Sequence, residues 1–189
     1  MKKLLALSIV AMAAGLVCSQ AMAAKGDKGE RERCFTPDGS VKAHFEQQHQ
    51  ENLAFHQTLK DLAPEARIPA VKAHREEQFK ENLAFLASQH DKRVAQVQAC
   101  DKLTDAQKQE AISFLDVQYA ENVEFFTRLH KANMDFLDGL AADTATPAKE
   151  KLEAIRAHAE DSKAQIKAHW EQQKGEFRDF IRQLRGEGR

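Results

Sequence analysis

Four of the eight histidines sit in one local sequence. Val41-Lys42-Ala43-His44 recurs as Val71-Lys72-Ala73-His74, Ile155-Arg156-Ala157-His158 and Ile166-Lys167-Ala168-His169. Neutral imidazole is the commonest transition-metal ligand, and metal sites in helical bundles draw ligands from several facing helices. His44, His74 and His169 are each followed two residues later by a carboxylate, Glu46, Glu76 and Glu171, and Glu46-x-x-His49 has the i, i+3 spacing of carboxylate-bridged di-iron bundles. Such a centre wants two of these motifs and two further inward glutamates, whereas one motif is present, which speaks against a di-iron enzyme. His44, His49, His74, His158 and His169 therefore form a candidate ligand set for Zn, Cu or Ni. The competing reading, which carries more weight, is that each histidine replaces Phe as a half-buried aromatic.

That second reading comes from an 11-residue frame. Units start at Val41 and Asn52, at Val71, Asn82 and Arg93, at Ala111, Asn122 and Asn133, and at Ile155, Ile166 and Phe177. Their fourth residue is His or Phe in every unit but the one with Gln96, a regularity that chance does not give. Eleven residues make three turns at about 3.67 residues per turn, so such a stripe stays on one face of a nearly straight helix. First, fourth, fifth and eighth positions then face inward. They bring amides with them: Gln48, Asn52, Gln78, Asn82, Gln118, Asn122 and Gln173 form a polar seam between Phe and Leu layers. A buried amide without a partner costs about 1–3 kcal/mol, so these layers are expected to satisfy one another and fix register, as a buried Asn does in coiled coils.

The elements that must position this seam are helices. Pro37-Asp38-Gly39-Ser40 reads as a turn delivering Ser40 as an N-cap to a helix over 41–63. Pro64 and Pro69 bracket a connector, after which a second helix spans 70–100. Thr104-Asp105-Ala106-Gln107 is a capping box opening a third helix over 105–139, with Gly139 as its stop. Thr146-Pro147 opens a fourth over 147–184. The expectation is an all-α fold, an elongated antiparallel bundle of about four helices built from 11-residue repeats, occupying residues 40–186 as one domain. The first helix is much the shortest, so part of the long helices should be left as a groove or covered by a second copy, a possible homodimer.

Composition narrows the function classes. With 28 Lys and Arg against 29 Asp and Glu the chain is near neutral, unlike a nucleic-acid binder. No glycine stands between Gly39 and Gly139, which excludes the phosphate-cradling loops of P-loop and dinucleotide folds. Met1-Lys2-Lys3, the apolar run from Leu4 to Val17 and Ala21-Met22-Ala23 form an export signal over 1–23, followed by a charged flexible leader over 24–39. No later stretch is long and apolar enough for a transmembrane segment. The mature chain is thus expected in the periplasm or secreted. There its two remaining cysteines, Cys34 and Cys100, should pair as a disulfide.

Leu103-Thr104-Asp105-Ala106-Gln107 resembles the LTxxQ signature of the periplasmic Spy/CpxP stress proteins, small all-helical chaperones and envelope-stress adaptors. The resemblance covers five residues and one copy of a motif that the family usually carries twice. It implies a client or partner protein as ligand, with no enzyme activity and no cofactor. Three functional expectations follow. First comes an exported chaperone or stress adaptor. Second is a periplasmic metal-binding protein using the repeat-position histidines. Third is an amphipathic lipid-surface binder, disfavoured because Gln, Asn and His break the apolar stripe.

Overall fold

A computed structural model describes residues 39–186 of the chain. The expected export signal, the leader up to residue 38 and Cys34 lie outside the described residues. Four helices follow one another: α1 (Ser40–Asp61), α2 (Pro64–Ala99), α3 (Asp105–Ala142) and α4 (Ala148–Arg185). The all-α bundle expected from the sequence is what forms, with no strand among the described residues.

The ends of the helices show which local signals govern. α3 begins as its sequence dictates. The Thr104 side chain accepts from the Gln107 N–H at 3.3 Å, and the Gln107 side chain accepts from the Thr104 N–H at 3.1 Å. Ser40, expected as a cap, is instead the first helical residue, and Gly39 precedes it with a φ of 76° that only glycine adopts without strain. The hydroxyl of Ser40 accepts from Gln89 Nε2 on α2 at 2.9 Å, a tertiary bond that outcompetes the local cap. The Pro64–Pro69 connector is also corrected: it is the start of α2. Pro64 takes the first helical position, where its fixed φ fits and its missing N–H is no loss. Pro69 lies inside the helix on its exposed side, early in an element of 36 residues. The true connection is Leu62–Ala63, and Ala63 is held extended (ψ 145°), as a residue before proline must be. α3 runs past Gly139 to Ala142, and Asp143 then accepts from the Ala145 and Thr146 N–H groups at 3.0 and 2.9 Å to turn the chain into α4.

Helix lengths decide where the core has three walls and where it has four. α1 has 22 residues against 36 to 38 for the others. One apolar cluster gathers Val97, Cys100, Leu103, Ala111, Leu115, Phe180 and Leu184, from α2, α3, α4 and the α2–α3 connection. A second gathers Val41, Leu86, Phe125, Phe126, Leu129 and Ile166, with all four helices contributing. The bundle is three-helical at one end and four-helical in the middle. No helix among the described residues is long and apolar enough to cross a membrane.

Candidate functional site

The seam histidines point at neighbouring helices, and each meets the same arrangement there. His44 on α1 stacks on Phe85 of α2, ring centroids 4.0 Å apart and planes within 12°, while its Nε2–H donates to Asn82 Oδ1 at 2.9 Å. His74 on α2 does the reverse, stacking on Phe55 of α1 at 4.0 Å and donating to Asn52 Oδ1 at 2.9 Å. Between α3 and α4, His169 stacks on Phe125 and donates to Asn122 at 2.9 Å. His158 stacks on Phe136 and donates to Asn133 at 2.7 Å. The unit is Asn-x-x-Phe on one helix closed by His from the next. Asn and Phe are neighbours because residues three apart share a helix face. The oxygen of Asn accepts from Nε2, which fixes the neutral tautomer with its proton on that atom.

Two more histidines, which the 11-residue frame passes over, close the α2–α3 contact with a carboxylate in place of the amide. His130 of α3 stacks on Phe79 of α2 at 4.1 Å and within 2°, and meets Glu76 Oε2 at 2.9 Å. His90 of α2 lies against Tyr119 of α3 at 4.7 Å and meets Asp116 Oδ1 at 2.7 Å. The sequence did hold a signal for these. Glu76-x-x-Phe79 and Asp116-x-x-Tyr119 are acid-x-x-aromatic versions of Asn-x-x-Phe, and on each helix the stacking residues are 11 apart: Phe79 and His90, Tyr119 and His130.

Spacing sets which partners meet. His44 precedes Asn52 by eight residues and His74 precedes Asn82 by eight, so the two helices clasp reciprocally in one antiparallel register. Asn122 and Asn133 are 11 apart, as are His158 and His169. One step further along α3 and α4, Phe114 stacks on Phe180 at 4.2 Å, with Ala111 where Asn would stand.

The remaining seam amides serve these clasps. Gln78 Nε2 donates to Asn52 Oδ1 at 2.9 Å, and the Asn122 amide nitrogen donates to the Gln118 carbonyl at 2.7 Å and to Gln173 Oε1 at 3.3 Å. Gln173 in turn donates to Glu121 at 2.7 Å, and Gln118 donates to Glu176. Gln48 departs from the pattern: it is buried, and its Nε2 has no partner among the described residues. Burial lowers the His74, His158 and His169 pKa values below the ordinary imidazole value. The neighbouring cations add to this, Arg75 beside His74 and His158 and Arg128 beside His169, partly opposed by Glu51, Asp161 and Glu176 respectively.

Of the candidate ligand set, His44, His74, His158 and His169 are thus placed on four separate Asn-x-x-Phe units and are not brought to one point. His49 is a correction to that set. Five residues beyond His44, it is turned about 140° around α1 and is exposed, as is Glu46, whose carboxylate lies 3.5 Å from Lys42. Glu76, expected beside His74, instead serves His130. Among the described residues no group of three His, Cys, Asp or Glu side chains is placed to hold a metal ion together. The LTxxQ-like segment acts as a brace: Leu103 is buried in the end cluster, and Gln107 Nε2 donates to the Leu184 carbonyl at 3.1 Å, tying the start of α3 to the end of α4. No family model, no curated protein and no solved structure matches the chain.

Proposed function

We propose that the chain is an exported, non-catalytic binding protein, an envelope chaperone or stress adaptor that presents amphipathic helix surface to an unfolded or partner protein. The observation that supports this reading is the use made of the imidazoles. Five of them are stacked on a ring of a neighbouring helix, a sixth, His90, lies tilted against one, and all six are hydrogen-bonded there, so the side chains best suited to chemistry hold a scaffold together. The brace from Gln107 to the end of α4 fits the same picture. A Cys34–Cys100 bridge belongs to this proposal. Cys100 is buried in the end cluster, where a tether would hold the preceding chain against the three-helix end.

The test measures aggregation of an unfolding client protein with and without the purified mature chain, in chelator. Suppression at near-stoichiometric ratio supports the reading. No suppression, together with stoichiometric binding of Zn, Cu or Ni by mass spectrometry that is lost in a His74→Phe, His158→Phe double variant, replaces it with metal binding. A free-thiol assay on chain from an oxidising compartment tests the bridge, two reactive thiols refuting it.

A further inference from the structure

α1 carries, on its outward face, a second docking stripe whose counterpart on α2 is already in use. The segments starting at Val41 and Val71 are aligned at a shift of 30 residues, which pairs Lys42 with Lys72, Glu46 with Glu76, His49 with Phe79 and Leu53 with Leu83. On α2 this stripe is the one that meets α3. Glu76 and Phe79 receive His130, Lys72 pairs with Asp138, and Leu83 packs on the middle cluster. On α1 the same stripe faces solvent: Glu46 and His49 are exposed, and Leu53 is one of the large apolar side chains left open, at 46% exposure.

α4 supplies the contrast. Five residues beyond its clasp histidines His158 and His169 stand Lys163 and Lys174, paired with Glu160 at 2.6 Å and Glu171 at 4.0 Å. Glu-x-x-Lys along a helix is the pattern of a solvated face. Both outer faces carry charge pairs, on α1 Lys42 with Glu46 at 3.5 Å. Only α1 adds beside its pair an aromatic and an apolar residue, His49 and Leu53, at positions that on α2 meet another helix.

We infer that this face of α1 is a self-association surface, and that its occupant is α1 of a second copy, antiparallel across a two-fold axis. The register follows from the α2–α3 contact, where a histidine stacks on an aromatic ring and bonds the acid three residues before it. Glu46-x-x-His49 contains all three parts when it meets itself. His49 stacks on the second copy's His49 and donates to its Glu46, the reciprocal bond forms by symmetry, and Leu53 covers the stack on each side. An isologous interface of this kind is closed and produces a dimer, not a filament. One pair of 22-residue helices is smaller than a standard stable interface, so the dimer is a weak one, with Kd on the order of tens to hundreds of micromolar. The inference does not depend on client binding.

Sedimentation equilibrium of the mature chain from about 5 to 500 μM is the test. The expected result is a concentration-dependent monomer–dimer equilibrium. Leu53→Glu should abolish it, and so should His49→Glu, which sets four carboxylates against one another. Glu46→Lys combined with His49→Glu should restore it, because each new glutamate then faces a lysine of the other copy. Lys163→Glu on the outer face of α4 should leave it unchanged. These positions are exposed, and circular dichroism checks that every variant is folded. A chain that stays monomeric throughout, or a dimer indifferent to Leu53→Glu, overturns the inference. So does a monomer in which Leu53→Glu removes client binding, since the face would then belong to the client.

Discussion

Two neighbouring layers of the α3–α4 pair solve one packing problem with different chemistry. In the end layer Phe114 stacks on Phe180 at 4.2 Å and within 2°, over Ala111, which is fully buried. In the next layer, 11 residues along α3, Phe125 stacks on His169 at 4.0 Å and within 7°, and Asn122 stands where Ala111 stood. The ring geometry is the same, but Ala and Phe have become Asn and His together. A buried imidazole N–H needs an acceptor and a buried amide needs a donor, so either replacement alone would leave an orphan. The apolar layer supplies burial without direction. The clasp layer adds a directional bond that only one register satisfies, the role a buried Asn has in coiled coils. Four-helix packing built on a sliding 11-residue stripe needs such marks, since Phe layers alone would fit at any step.

The comparison breaks most visibly at the apolar layer. Phe180→Ala removes a side chain that is 7% exposed from the three-helix end and leaves a cavity walled by Val97, Leu115 and Leu184. The expected loss is about 3–5 kcal/mol, read as a fall in the urea midpoint with unchanged slope. A loss below about 1 kcal/mol would mean that this end is not the packed core described.

The clasp layer gives the next largest effect and the sharper one. Asn122→Ala leaves the His169 Nε2–H without its acceptor, and His169→Phe leaves Asn122 Oδ1 without its donor. Each should cost about 1–3 kcal/mol. The double variant reproduces the composition of the end layer but leaves Gln173 Oε1 without its donor, so it is expected to cost about as much as one single variant, and a double-mutant cycle should return a coupling of about 1–3 kcal/mol. Strict additivity of the two losses would show that the hydrogen bond contributes nothing and that the layers differ by accident.

How much of this could be read from the sequence follows from what a periodic frame contains. A 3.67-residue period fixes the angle of a side chain around its own helix, and His44, His74, His158 and His169 are half-buried at the angle it assigns. The Thr104–Gln107 box was legible because both partners lie within one turn. Which histidine meets which asparagine was not legible, because it depends on register between helices. The matching intervals, eight residues on α1 and α2 and 11 on α3 and α4, carry that register only once the antiparallel neighbours are known. His90 and His130 were missed because α2 and α3 each bear a second stripe, five residues round from the first, and a single frame follows one stripe. His49 enters the ligand set through the reverse error, an i, i+3 spacing taken without the angle it implies. Pro64 misled for a local reason: a proline at the first helical position loses no intrahelical hydrogen bond, so it marks a beginning as readily as an end.

Capping separates the two layers again, at a smaller scale. The end layer sits beside the start of α3, where Gln107 both completes the box with Thr104 and reaches the Leu184 carbonyl. Thr104→Ala is expected to cost about 1 kcal/mol, and Gln107→Ala somewhat more because it also frees the end of α4. Faster amide exchange should then appear at the first turn of α3 and the last turn of α4, leaving the Asn122–His169 layer untouched. Exchange confined to α3 alone would show that the brace to α4 does not hold.

Acid should act in the opposite place, on the clasp layers and not on the end layer, and with the smallest effect per residue. The His74, His158 and His169 pKa values are lowered, chiefly by burial, from an ordinary value of 6.5. The folded chain therefore binds these protons less readily than the unfolded one. Their contribution is complete above about pH 7 and is lost as pH falls through 6.5 toward the folded values. Since the rings are only half-buried, solvent screening holds the loss below about 1 kcal/mol for each. His169 shares Phe125 with a cation, Arg128, whose guanidinium carbon lies 5.8 Å from the ring centre, and Glu176 opposes its effect on the imidazole. The α2–α3 contact carries carboxylates in place of these amides, Glu76 against His130 and Asp116 against His90. Between pH 7.5 and 5.5 amide exchange should rise along α1 and α4 more than along α2 and α3. Asn122→Asp, which gives His169 a carboxylate of the α2–α3 kind, should remove the rise in α4 near that layer. Equal acceleration in all four helices would show that the amide and carboxylate clasps are energetically alike.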